Sequence, residues 1–408
     1  MIHCRKFRQP LAILAAGALL FALCACQSSG VGTVGLPSPP SAPIATTGWS
    51  PSPALNAGGY PAVPAILPKP LVLGPAYPAV IPVPWHMVEP WIRVKITRES
   101  PTRPWINPAL YRGRIEVVHL PDGHYIALNV LPIEDYLAGV LSRELYSNWL
   151  PATYDAQAIA ARTYAMYQME TFGKTHAWDV TGNQNSQMYG GRNAETPRAW
   201  NAVRATWGQV MLASENGATG IFCAYYSACN GGAIQSAADA WGDQPLPELG
   251  ARVTGDLDDQ CRLFSWPTMR ISKAFAHQAV TWWGQRNNLP YLADLGPISD
   301  VEITRYNRIT NRPEIITLID VHGHIGKMRA EEFRLALLMD PDRRVKAPPS
   351  SFFNIRNDGA YIMLVNGHGY GHGVGLSQWG AQALAQRGDS GAYILSYFYP
   401  GRRIHKLW

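Results

Sequence analysis

The chain has 408 residues, 47% hydrophobic and 16% charged. This balance supports a sizeable core and two or three domains, and it excludes a wholly disordered chain or a coiled-coil rod. The formal charge is only +6, half of it from Arg5, Lys6 and Arg8, too mild a balance to argue for nucleic acid. The 14 Trp and 19 Tyr are flat amphipathic side chains that suit sugar faces and ordinary cores alike.

Residues 1–25 read as an export leader. Arg5, Lys6 and Arg8 form a basic start, and LAILAAGALLFAL (11–23) forms a short apolar core, too short and wrongly flanked for an ordinary spanning helix. The leader ends in Leu23-Cys24-Ala25-Cys26, which resembles a bacterial lipobox with Cys26 as the lipidated residue. A plain secretory signal is the alternative. The expectation is an exported protein held to a membrane by an N-terminal lipid and facing the cell wall or periplasm. Residues 26–90 then read as a linker. The stretch 31–90 holds 15 of the 33 prolines, and Lys69 is the only formally charged residue between 27 and 88. Such a segment should be extended and stiff, because proline fixes φ and removes backbone donors.

From Trp91 the pattern alternates as strands do, at 91–96, 114–120 and 124–131, with Pro121-Asp122-Gly123 as a hairpin turn. Helical periodicity follows at 133–145 and 152–172. Strands are expected again near 208–213 and 221–228. A third block, 262–350, mixes short strands with a helix near 328–338 and reads as an inserted smaller subdomain. The end carries strands, a Gly-rich loop, and helices near 376–387 and 390–398. Strand runs and helix runs are segregated rather than strictly alternating, so the expected class is α+β.

Glu144 is the first candidate for chemistry. Leu137, Val140, Leu141 and Glu144 are spaced by three and four and share one helix face. A carboxylate at the end of an apolar stripe is desolvated, which raises its pKa and suits it to give and then take a proton. The plainer reading is a Glu frayed into solvent or paired with Arg143. Arg162, inside the small-residue run AIAARTYA, needs a partner because an unpaired buried guanidinium is costly. Glu144, a ligand oxygen or a structural salt bridge would each serve.

The segment GHGYGHGVGLSQWGAQ (367–382) is the densest constellation. Its glycines let the backbone approach a ligand, with His368 and His372 lining the loop. It lacks the Lys and Ser/Thr of a P-loop, and two His four apart on a glycine-rich loop share no defined face, so nucleotide and zinc are poor readings. Outside the leader, three cysteines remain. An exported protein permits a disulfide, with Cys229–Cys261 the preferred pair and Cys223 a buried thiol. A Cys/His nucleophilic dyad with His368 or His372 is the rival.

Several segments together carry a family likeness. LPIEDYLAGVLSREL, AQAIAARTYAMYQ, VTGNQNSQMYGG, SACNGGAIQSAADAWGDQPLPEL and VNGHGYGHGVGLSQWGAQALAQRG, ending in ILSYFYPG, resemble the stage II sporulation protein D (SpoIID/LytB) family in order and spacing across 91–408. The resemblance implies a peptidoglycan lytic transglycosylase. Such an enzyme cleaves the MurNAc-β-1,4-GlcNAc bond of glycan strands, preferably denuded of peptide, without water and leaves 1,6-anhydroMurNAc ends. It implies Glu144 as single acid/base and Gln157, Arg162, Tyr189, His368, His372 and Gln378 as residues lining the glycan cleft. Some relatives carry clustered Cys and His ligands for zinc after the ARTYA helix. Here 173–189 holds His176 but no cysteine, so no metal and no cofactor are expected. The block around ITNRPEI also departs from the Gly-Arg turn of many relatives. The resemblance allows a second reading, a non-catalytic enhancer of a cell-wall amidase, and a third, a sporulation or division scaffold. The partners expected are glycan strands and an amidase.

Overall fold

A computed structural model describes residues 77–338 and 347–408. The leader, Cys26 and the first part of the Pro-rich stretch lie outside the described residues. Helices and small sheets are mixed along the chain and segregated into runs, so the protein is α+β.

The folded unit includes part of the expected linker. Val80–Ile81 pairs antiparallel with the Ala218–Phe222 strand at the edge of a four-stranded sheet. Tyr77, Ile81, Val83 and Met87 pack on the apolar core. The backbone of Met87 donates to Leu407. An edge position explains how such a strand tolerates the prolines that follow it, since its outer side needs no ladder donors.

Trp91–Lys95, Arg114–His119 and Tyr125–Pro132 form one sheet with Val180–Thr181. The Tyr125–Pro132 strand runs directly into helix α1, Ile133–Glu144, and α2 follows at Pro151–Glu170. Helix α2 is buried nearly all round, from Thr153 to Tyr167. Its alanines at 156, 158, 160, 161 and 165 allow close approach on several sides, as expected of an interior helix. Around it pack α1, a third helix α3 (Pro197–Ala205), and the C-terminal helices Gln378–Gln386 and Gly391–Phe398.

The strand expected at 221–228 is broken. The chain leaves the first sheet after Phe222 and re-forms a two-residue strand, Tyr226–Ser227, which pairs in parallel with Leu376–Ser377. Isolated bridges Cys229–Tyr370 and Gln235–Val374 extend the contact. The SACNGG segment and the Gly-rich loop are thereby laid side by side. A separate apolar cluster draws on residues from Trp266 to Leu364. It includes a helix the sequence reading did not expect, Lys273–Arg286, whose start is marked by Ser272 accepting from the backbone of Phe275.

Candidate active site

Glu144 is the last residue of α1. Its Oε1 accepts from the backbone N–H of Met188 at 2.7 Å, and its Oε2 accepts from Gln378 Nε2 at 3.1 Å. The side chain is hemmed in by protein but keeps a partly open edge. Burial holds its pKa above the ordinary carboxylate value, against the opposing hydrogen bonds from Met188 and Gln378 and the charge of Arg143. The helix pattern therefore anticipated the desolvated carboxylate.

Three elements fix this geometry. Gln187, fully buried, accepts from Tyr136 Oη at 2.9 Å and donates to the Ala161 carbonyl at 3.2 Å and to Tyr226 Oη at 2.9 Å. It ties α1, α2 and the short 226–227 strand together and so holds the amide of Met188. Gln382 accepts from Leu150 N at 3.0 Å and Thr153 Oγ1 at 2.8 Å, fastening the Gln378–Gln386 helix to the start of α2. Asp258 accepts from Ser377 Oγ at 2.8 Å and Asn230 N at 2.6 Å, while Ser377 caps that helix at Gly380 N. Gln378 is thus positioned by two anchored ends.

Aromatic rings flank the carboxylate. Tyr146, Trp149 and Trp379 meet with ring centroids 5.0–5.5 Å apart. Tyr146 is 48% exposed and lies two residues beyond Glu144, and Trp379 follows Gln378. This cluster is not legible in the sequence, because Trp379 lies more than 200 residues from Tyr146 and Trp149. Gln187, Gln382 and Asp258 escaped because their partners lie 26 to 232 residues away in the chain.

Gln157 is buried on α2, and neither its amide oxygen nor its nitrogen meets a hydrogen-bond partner in the protein. At helical spacing it shares a stripe with Thr153 and Tyr164. Thr153 bonds Gln382, and the Tyr164 hydroxyl is close enough for the charge of Glu144 to raise its pKa, secondary to burial. The amide of Gln157 is thus the unengaged polar group on that stripe.

Arg162, Tyr189, His368 and His372 meet other partners within the protein. Arg162 is 0% exposed and forms a buried ion pair with Glu134, Nη2 to Oε2 at 2.6 Å and Nε to Oε1 at 2.9 Å. Its Nη1 donates to the Gln209 carbonyl at 2.9 Å. Its guanidinium bonds only groups inside the protein, so it does not line a cleft: the structural salt bridge is the reading that holds. Tyr189 packs on Gly139 and Tyr136, with its hydroxyl donating to Asn129 at 2.7 Å. His368 lies beside Phe352 and Phe264.

His372 is buried against Tyr225 and Trp241 and accepts from the Val374 N–H at 3.0 Å. Burial pushes its pKa down to about 4, so it is neutral near pH 7. The glycines around it serve the fold rather than a ligand. A Cβ at Gly375 would fall 2.1 Å from the Tyr225 carbonyl and one at Gly373 2.7 Å from Arg312 Nη1, and both residues have positive φ. The loop needs glycine because it threads between other segments.

A pH prediction follows from His372. Its folded pKa lies below its unfolded value, so the stability it contributes is present above about pH 6.5 and is lost as pH falls towards 4. The shift corresponds to about 3 kcal/mol. In His372→Asn, the amide oxygen can still accept from Val374. Denaturant titrations at pH 7 and pH 4 should show a smaller difference for the variant than for the parent. Asp155 and Asp243, each raised to about 6 by burial, act in the opposite direction but equally in both proteins. An unchanged difference would show that His372 is not the group responsible.

Cys229 and Cys261 are both free in the structure. Their thiols adjoin closely enough to hydrogen-bond, which raises the pKa of Cys229 and lowers that of Cys261. Oxidised glutathione should join them by removing two electrons and two protons, with reduced glutathione as the product. Closing this loop of about thirty residues should add about 2–4 kcal/mol of stability, read as a higher denaturation midpoint that Cys261→Ser abolishes. Cys223 is buried, with its thiol pushed up and a contact from Gln168 Nε2, an environment that keeps it protonated and unreactive. Among the described residues neither His368 nor His372 is hydrogen-bonded to a cysteine, and no cluster of three or more His, Cys, Asp or Glu could hold a metal ion. His176 stacks on Phe172 at 3.7 Å. No helix among the described residues is long and apolar enough to cross a membrane.

Residues 121–212, which include α1, α2 and the Met188 loop, match the family model SpoIID, described as stage II sporulation protein. This region is thus similar to the SpoIID family. It is 29% identical over 298 residues to an uncharacterised protein of Brachyspira hyodysenteriae, covering 72% of each chain. It is 27% identical over 296 residues to the amidase enhancer of Bacillus subtilis, covering 66% of this chain but 40% of that protein. To the stage II sporulation protein D of Bacillus subtilis it is 25% identical over 289 residues, covering 67% of this chain and 74% of that protein.

Proposed function

We propose that the protein is a peptidoglycan lytic transglycosylase with Glu144 as its single acid/base. The observation that carries this reading is the state of that carboxylate, half-enclosed, raised in pKa by burial and held by Met188 and Gln378. The protonated acid donates to the glycosidic oxygen as the C1–O bond breaks. The muramic acid 6-hydroxyl attacks C1, and the same carboxylate takes up its proton, so no water is consumed. Hydrolytic glycosidases use a second carboxylate about 5–9.5 Å from the first. Glu134 and Asp135 are nine or ten residues earlier on the same helix, about 13–15 Å along its axis. Glu134 is also held by Arg162, and Asp179 by Arg93 at 2.6 Å. These placements favour a reaction that needs only one carboxylate.

Tyr146 and Trp379 suit the apolar faces of sugar rings. The test is mass spectrometry of denuded glycan strands incubated with the protein: anhydro-ended fragments support the proposal, and reducing ends mean hydrolysis.

The second reading is enhancement of a cell-wall amidase, favoured by the likeness to a protein named amidase enhancer. It predicts intact strands and faster amidase action on the wall. Both readings require export, after which a lipid on Cys26 would supply the membrane anchor.

A further inference from the structure

On the side of α1 away from Glu144, Ser142 Oγ meets Thr196 Oγ1 at 2.8 Å. Two helix residues are about 200° apart around the axis, so this face and the Glu144 face are distinct. Beyond Thr196 lies a cavity of about 630 Å³ lined by Arg112, Arg192, Glu195, Trp200 and Arg204.

The lining is built rather than incidental. Arg112 binds Glu195 through two parallel bonds, Nε to Oε1 at 2.7 Å and Nη2 to Oε2 at 2.8 Å. Trp200 Nε1 donates to the same carboxylate at 2.8 Å. The guanidinium groups of Arg112 and Arg204 lie 5.1 and 5.3 Å from the Trp200 ring. Glu195 is therefore fully engaged. Arg192 and Arg204 are exposed and, among the described residues, form no ion pair with a carboxylate. Three guanidinium groups face one carboxylate, and positive charge remains in excess even with Asp135, which acts on Arg112 from α1.

Planar guanidinium groups match oxyanions by paired hydrogen bonds. The cavity is far larger than an inorganic ion and falls in the range of organic ligands, roughly 300–1,000 Å³. Trp200 and Pro197 supply apolar surface for the body of such a ligand. We propose that this cavity binds a carboxylate-bearing peptide, the source in the wall being the peptide stem of a neighbouring strand. The choice of source rests on the wall-directed reading above. The carboxylate chemistry does not. A site of this kind would hold the protein on stem-bearing wall while the Glu144 face addresses a denuded strand.

The test is calorimetric titration of the protein with a synthetic stem peptide, with the same peptide amidated at its carboxylates, and with inorganic phosphate. The free-acid peptide should bind, and both amidation and Arg192→Glu/Arg204→Glu should weaken it at least tenfold. The milder Arg192→Gln/Arg204→Gln pair should weaken it in the same direction, and melting curves should show both variants folded. No binding, binding unchanged in the variants, or equal binding of phosphate would each overturn the proposal. Glycan cleavage is measured separately on the same samples. Peptide binding without cleavage would defeat the catalytic reading and leave this site standing, and cleavage without peptide binding would do the reverse.

Discussion

Replacing Glu144 with Gln should lower glycan cleavage by about 10²–10⁴-fold, the usual contribution of a positioned general acid/base. The fold should survive, because a glutamine oxygen can still accept from the Met188 N–H that now meets Oε1. The variant should melt at or slightly above the parent temperature, since a carboxylate whose ionised form burial disfavours is removed. The pH profile carries independent information. The acid must be protonated to act, so cleavage should decline as pH rises through the Glu144 pKa. An ordinary glutamate would lose its proton above about pH 4.3. Burial shifts that decline upward, and it should be absent from any residual activity of Glu144→Gln. Anhydro-ended products formed at the parent rate by the variant would sink the assignment.

The second large effect is on stability. Arg162→Met should cost about 3–5 kcal/mol, because it leaves Glu134 buried without its counter-charge. That carboxylate also accepts from Gly208 N at 2.9 Å and Trp408 Nε1 at 3.1 Å, so the pair fastens α1 and α2 to the C-terminus. The double variant Arg162→Met/Glu134→Leu should recover much of the loss, since no unpaired charge then remains. A guanidinium that contacted glycan would behave differently, raising KM while leaving the denaturation midpoint in place. Chemical denaturation and cleavage kinetics on the same three proteins separate the two roles.

The C-terminal helices expected near 376–387 and 390–398 are present at Gln378–Gln386 and Gly391–Phe398. The strand–turn–strand lead-in and the two helices of 133–172 also follow the pattern. Periodicity is a local property, and strongly patterned segments carry it on their own. The Lys273–Arg286 helix buries Ala276, Ala279, Val280 and Trp283 on one face, but Phe275 and Trp282 lie about a quarter turn off that face and blur the stripe in the sequence.

The candidate site divides along the same line. That Glu144 ends an apolar stripe, and is desolvated in consequence, is written into twelve consecutive residues. The motif order likewise carried the SpoIID likeness in local strings. What those strings could not say is which side chains meet. Arg162 and Glu134 pair across 28 residues, Gln378 reaches Glu144 across 234, and Tyr146 meets Trp379. The same limit let the glycines at 373 and 375 pass for a ligand cradle, when neighbouring segments are what demand them. Local spacing determines which face of a helix a residue occupies. The partner of a buried charge is chosen by which distant groups the packed core brings within hydrogen-bond range, and only the tertiary structure decides that.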